Sequence, residues 1–130
     1  MPNCTATEVP FAKLGRRKID VRFDGGDVSS DGGLLLLRQV ERRLGLLKAV
    51  AQVLPDPRNP WLVQHTTEQM LRQRVFGLCQ GYEDLNDHDR LRLDPLHALI
   101  AGKADVLGED RLCQADKGKA LAAHSTLNRL

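Results

Sequence analysis

Residues 68–95, read EQMLRQRVFGLCQGYEDLNDHDRLRLDP, constrain this chain more than any other stretch. They join an amphipathic helix, a glycine stop, a dense acidic turn and a second helix start. At 100° per residue, Val75, Leu78, Thr67 and Gln64 fall near Leu71 on one face, and Gln69, Gln73 and Gln80 fall opposite. Gly81 marks the stop, because glycine takes the left-handed turn without steric cost. Phe76 projects to the polar side and Arg74 sits at the edge of the apolar face. Such a helix is either touched on more than one side, by the C-terminal part of the chain or by something outside it, or carries a surface Phe and a snorkelling Arg.

A chain of 130 residues buries one modest core, so one domain is expected. The formal net charge of +2 permits nucleic-acid contact without requiring it. Distribution says more than the sum. Lys13, Arg16, Arg17, Lys18 and Arg22 form a basic run, followed by Arg38, Arg42, Arg43 and Lys48. Phosphate attraction is one use for such a run and a solvated face is the other. Cys4, Cys79 and Cys113 are odd in number and widely spaced, which fits reduced thiols in a cytoplasmic protein. No apolar run approaches the ~20 residues a bilayer requires, and the first residues are too mixed for a signal peptide, so no membrane partner is expected.

Along the chain, residues 1–17 read as a flexible arm and residues 18–130 as a helical domain. Ile19, Val21 and Phe23 alternate with charged residues, the pattern of a short strand, with Val28 and its neighbours offering a hairpin arm across Gly25 and Gly26. Ser29, Ser30 and Asp31 precede a leucine run and suit a helix N-terminus. Gly32 and Gly33 fit no phosphate-loop spacing, so capping is the better account. The apolar stripe Leu37, Val40, Leu44, Leu47, Ala51 and Leu54 is broken by Gly45. It predicts one helix over residues 31–44 and another over Leu46–Val53, ended by Pro55, packed as core rather than as a zipper. After a proline-rich connector, a long helix is expected from about Trp61 to Gln80, with Trp61 anchoring its start to the core.

Glu83, Asp84, Asp87, His88 and Asp89 carry enough ligand atoms for a divalent ion. Their spacing matches no dedicated metal pattern, and Arg90 and Arg92 are near enough in sequence to neutralise them. Asp84 and Asp87 suit helix starts, and Asp94 before Pro95 is an N-cap followed by proline. Capping and ion pairing are therefore expected, with no metal site and no catalytic residue. A short helix should close at Gly102, and residues 103–119 should form a loop with one helical turn. Ser125, Thr126, Asn128 and Arg129 suit an ordinary capped helix or the start of a recognition helix.

GYEDLNDHDRLRLDP, preceded by QRVFGLCQ, resembles a motif in the N-terminal region of a bacterial insertion-sequence transposase family with a DDE catalytic core. FDGGDVSSDGGLLLLRQV and the final LAAHSTLNRL resemble the same family, in the same order. The resemblance covers residues 19–130. It implies a mainly α, small helical domain, here with a short N-terminal β-strand or hairpin, and a ribonuclease-H-like catalytic core that is absent because it would follow STLNRL. It also implies DNA element ends as partner, docking to the catalytic core or a full-length transposase, and magnesium or a similar divalent metal for the full-length enzyme, with no cofactor in this chain. No carboxylate here matches a catalytic position of the family.

The function expected is thus that of an N-terminal transposase fragment, inactive alone, that contacts DNA or docks on the core. Charge, rather than the family motif, nominates Arg16, Arg17, Lys18, Arg22, Arg72 and Arg129 as phosphate contacts. The alternative is a stand-alone helical interaction protein that binds or inhibits a full-length transposase. A third reading is a metal-dependent nuclease using Asp84, Asp87 and His88.

Overall fold

The computed structural model describes residues 11–21 and 30–130. A 3₁₀ turn at Ser30–Gly33 leads into α1 (Leu34–Leu44), followed by α2 (Leu46–Val53). The break between them is where the sequence placed it. Gly45 takes φ 64, and its N–H closes α1 on the Glu41 carbonyl at 2.7 Å. Glu41 then serves α2 as well. Its carboxylate, nearly buried, accepts from the N–H groups of Leu47 (2.7 Å) and Lys48 (3.3 Å), so a side chain of one helix caps the next.

The long helix begins later than expected. Pro60–Leu62 is a separate 3₁₀ turn capped by Asn59, and Val63 is extended at φ −78, ψ 113. Thr66 and Gln69 form a reciprocal capping box that starts α3 (Thr67–Cys79). Trp61 is 91 % exposed and anchors nothing in the core, because its turn stands outside the helix it was expected to begin. At the other end, Gly81 takes φ 89. The N–H groups of Gly81 and Tyr82 bond the carbonyls of Leu78 and Gly77, both at 3.0 Å, which is a Schellman closure.

The buried face of α3 is Met70, Gln73, Phe76 and Gly77. That is rotated from the face centred on Leu71, and Leu78 is left exposed. The rotation has a cause on each side. Phe76 joins Leu34, Leu47 and Ile100 in the largest apolar cluster, and Gln73 faces the C-terminal segment. Phe76 is therefore a core residue. Arg74 donates to the carbonyls of Tyr82 (3.4 Å) and Glu83 (2.8 Å), bracing the turn after the helix.

A 3₁₀ turn at Leu85–Asp87 runs into α4 (His88–Leu91), then α5 (Pro95–Ala101) and, after a long loop, α6 (His124–Leu127). α3 packs against both α2 and α5 and so forms the centre of the molecule. Two smaller clusters complete the core: Ala98, Ala101, Ala120 and Leu121, and Met70, Ala122 and Leu127. The loop over residues 103–119 holds one 3₁₀ turn, Gln114–Asp116, as expected.

Among the described residues there is no strand. Ile19 and Val21 belong to no regular element, and the one bridge, Leu14 with Arg17, closes a tight turn through two backbone bonds of 3.0 and 3.1 Å. Alternation alone cannot make a strand without a neighbour to take its edge bonds. Phe23 and the hairpin arm at Val28 lie outside the described residues. Among the described residues no helix is long and apolar enough to cross a membrane.

Candidate nucleic-acid interface

The Leu14–Arg17 turn, held by Gly15 at φ 60, lies over a cavity of about 640 Å³. Arg42 steadies it from α1 by donating to the Lys13 carbonyl at 3.3 Å. Five cations line the cavity: Arg16 and Arg17 from the turn, Arg38 from α1, Arg72 from α3 and Lys103 after α5, and its lining holds no carboxylate. Each inner cation is placed by a specific contact. Arg38 Nε donates to the Ile100 carbonyl at 3.3 Å. Lys103 Nζ donates to the Gln64 carbonyl at 2.6 Å. Arg72 pairs with Glu68 one turn earlier at 2.5 Å. Gly102, at φ 90, lets the chain turn tightly beside Arg72; a Cβ there would stand 3.1 Å from Nη1.

The electrostatics of the two inner cations reflect first their burial. Burial, then repulsion from Arg72 and Arg42, lowers Arg38 to about 10. Burial, then repulsion from Arg111, lowers Lys103 to about 8. A concave surface lined by like charges with low-dielectric walls concentrates counter-ions, and an arginine fork matches phosphate oxygens.

Of the residues nominated by charge, the fold brings Arg16, Arg17 and Arg72 together in this groove. Lys18 pairs with Asp20 at 2.9 Å and does not line it. Arg129 lines a different cavity, beside Leu54, Asp56 and Arg58. Arg22 lies outside the described residues. Arg38 and Lys103 were not nominated. The signal for Lys103 was its position just past a C-terminal helix glycine, where an α-helix end favours cations.

The acidic turn is largely architectural. Asp84 accepts from Asn86 N–H at 2.9 Å and Asp94 from Leu96 N–H at 2.8 Å, so both cap helices as expected, with Pro95 following Asp94. Asp89 accepts from both the backbone and the Nδ1 of His124, at 3.1 and 2.7 Å, tying α4 to α6. Asp87 makes no cap bond and instead lines a shallow cavity with Asp31, Tyr82 and Arg90. Arg92 makes its direct ion pair with Asp116 at 2.9 Å, and its charge also acts on Asp89 of the turn as the last of several causes that lower that carboxyl. His88 is fully buried, its ring nitrogens facing Gln73 Nε2 (3.3 Å) and Arg74 Nη1 (3.5 Å). Burial, then the charge of Arg74, lowers its pKa, so it sits neutral inside the protein.

Sequence spacing did not disclose a cluster at Asp31, Asp94 and His97, whose ligand atoms lie within 4.8 Å of one another. Asp31 Oδ2 accepts from Tyr82 Oη at 3.1 Å and lies 3.3 Å from His97 Nε2. The Tyr82 and His97 rings meet edge to face, 5.9 Å between centroids.

Fold and groove define a small helical module with a concave face lined by cationic side chains. Residues 11–130 match the family model described as Transposase DDE domain group 1. The chain therefore belongs to the DDE transposases, as the ordered motifs implied, and has a role connected with transposition. Neither the curated proteins nor the solved structures that were searched gave a match.

Enzymes of this family generally use divalent metal. A pair of ions about 4 Å apart needs carboxylates converging from separate elements. Asp31, Asp94 and His97 are the one such cluster among the described residues, and one oxygen of Asp94 already caps α5. This set does not fit a two-ion centre.

Proposed function

We propose that this chain serves transposition as a helical module that holds the DNA backbone in the groove of Arg16, Arg17, Arg38, Arg72 and Lys103, and that it does not cut or join strands alone. The observation that carries this reading is that five cations from four separate parts of the chain converge on one cavity without a lining carboxylate. Salt-sensitive contact with phosphates needs no more than such a surface, and the reading includes no base-specific contact. Its partner is accordingly DNA, and the ends of the mobile element are the family's expected sites.

Fluorescence anisotropy with a labelled duplex tests it. The Arg16→Glu, Arg17→Glu double variant should weaken binding at least tenfold at low salt, whereas Arg129→Gln should change it far less. Equal affinity of wild type and double variant contradicts the reading.

Docking against a catalytic core is favoured by a separate observation. Leu36, Val40 and Leu44 repeat along one face of α1 and are 55 %, 52 % and 70 % exposed, with Leu46 and Val53 exposed on α2. Apolar side chains exposed along one helix face suit contact with another protein surface. The same face would serve a stand-alone protein that binds or inhibits a full-length transposase. Co-purification with a full-length transposase, lost in Val40→Lys and accompanied by no DNA affinity, would favour that role over the groove.

A further inference from the structure

The 3₁₀ turn before α1 and the start of α5 bring three metal-binding side chains together. Asp94 and His97 stand three residues apart, at the N-cap and in the first turn of α5, so both project to one side of that helix. Asp31 reaches them from the Ser30–Gly33 turn, and one ligand atom from each of the three lies within 4.8 Å of the others. Asp31 and His97 are both more than nine-tenths buried. The cluster is thus built into the fold and is no chance meeting of surface acids.

Its closest pair has the spacing of two ligands on one ion. Atoms that each bind zinc at about 2.1 Å with tetrahedral angles stand about 3.4 Å apart. Asp31 Oδ2 lies 3.3 Å from His97 Nε2. Tyr82 Oη donates to the same Asp31 oxygen at 3.1 Å, the kind of outer hydrogen bond that orients a ligating carboxylate. Asp94 uses one oxygen to cap α5, and its other oxygen accepts no hydrogen bond among the described residues.

Charge favours a cation at the same place. Asp31 and Asp94 line a cavity of about 390 Å³ together with Asp87, Tyr82 and Arg90, which opens the cluster to solvent. Three carboxylates face one guanidinium there, and Arg90 forms no ion pair among the described residues. Arg74 comes near through His88, but its fork is engaged by the carbonyls of Tyr82 and Glu83. The positive end of α5 opposes a cation with about half a unit of charge, against two whole carboxylates. His97 is not in the lining and meets the floor of the cavity from the protein side.

We propose that Asp31, Asp94 and His97 bind a single divalent ion of the zinc class at the floor of this cavity, with water completing the coordination. An imidazole beside two carboxylates suits zinc better than magnesium, which prefers an octahedron of oxygens. The ion ties the start of α1 to the start of α5 across 66 residues of chain and stabilises the fold. None of this rests on the groove of Arg16 and Arg17, whose lining offers a cation no carboxylate.

The test is thermal unfolding and calorimetric titration of the full chain with zinc chloride after metal is removed by chelation. Cys4, Cys79 and Cys113 are replaced by serine in the parent and in every variant, which removes thiols as competing ligands. Zinc should bind and raise the midpoint by ~5 °C or more near saturation, and magnesium at the same concentration should not. Asp94→Asn is the decisive variant, because asparagine keeps the N-cap bond and gives up the carboxylate. Its midpoint should match that of the metal-free parent, and it should bind zinc at least tenfold more weakly. His124→Gln removes the exposed pair of His124 and Asp89 and should leave the response intact. In the parent, one equivalent of zinc should also displace the nitrogen NMR signal of His97 Nε2, which decides the matter even if Asp94→Asn fails to fold. No zinc response in the parent, an equal response to magnesium, a full response in Asp94→Asn, its loss in His124→Gln, or an unmoved His97 signal would overturn the proposal.

Discussion

Gln73 holds the backbone of Ala122 by both of its polar atoms: Nε2 donates to the Ala122 carbonyl at 2.9 Å, and Oε1 accepts from the Ala122 N–H at 3.1 Å. All of these groups are buried, so one side chain of α3 replaces what a neighbouring strand would give an extended segment. Gln73→Met keeps the approximate volume and removes both bonds. With two buried backbone groups left unpaired, stability should fall by roughly 2–4 kcal/mol. The midpoint of urea unfolding measures it, and a change below about 1 kcal/mol would show that water replaces Gln73 there.

Gly77 exists for His88. A Cβ on Gly77 would stand 2.9 Å from His88 Cε1 and 3.3 Å from Nε2, with the ring held between Gln73 and Arg74. In a helix interior alanine is worth about 1 kcal/mol over glycine, whereas overpacking a buried site costs ~1–3 kcal/mol. Gly77→Ala should therefore destabilise the wild type. In a His88→Ala background the same substitution should become neutral or stabilising, and a double-mutant cycle by denaturant unfolding reads the change of sign.

His65 makes the fold sensitive to acid. Its folded-state pKa is lowered to about 3, first by burial and then by the surrounding cations. An unfolded imidazole takes up a proton near pH 6.5, so the unfolded state binds more protons below that pH. Stability contributed by neutral His65 is complete above about pH 6.5 and is lost as pH falls towards 3, at up to ~1.4 kcal/mol per unit. His65→Gln removes this titration while keeping an acceptor for Arg111. The stability advantage of wild type over His65→Gln should shrink by roughly 3 kcal/mol between about pH 7 and pH 4. The subtraction cancels the similar but smaller contribution of buried His88.

What the sequence disclosed is what local chemistry decides. Gly45 and Gly81 end helices because the left-handed turn suits glycine, and Asp94 with Pro95 starts one because cap and ring act within three residues. Those features need no knowledge of distant packing. Gln73 reads as polar and therefore outward, yet it is buried because Ala122, 49 residues later, offers it a backbone. Glu41 and Trp61 show the same limit in opposite directions: a charged residue buried as a cap, and the single tryptophan left in solvent. The misfit of Phe76 with its helix face was the visible trace of this tertiary override.

The groove was legible to the same degree. Charge pointed to Arg16, Arg17 and Arg72, but their assembly with Arg38 and Lys103 depends on α1, α3 and α5 packing side by side. Asp31 and His97 could not be linked by any spacing rule, since 66 residues separate them. The expected strand over Ile19 and Val21 failed because alternation reports a half-exposed segment and says nothing about whether an edge is there to receive it.

The central claim is that the groove binds phosphates as a unit, and the salt dependence of duplex affinity tests it most directly. The logarithm of the binding constant should fall linearly with the logarithm of salt concentration, by about 0.9 per phosphate neutralised. Arg16→Gln, Arg17→Gln and Arg72→Gln should each reduce that slope by about 1, while Arg90→Gln, on the exposed acidic side, should leave it unchanged. A slope that is the same in all four variants and in the wild type would contradict the account.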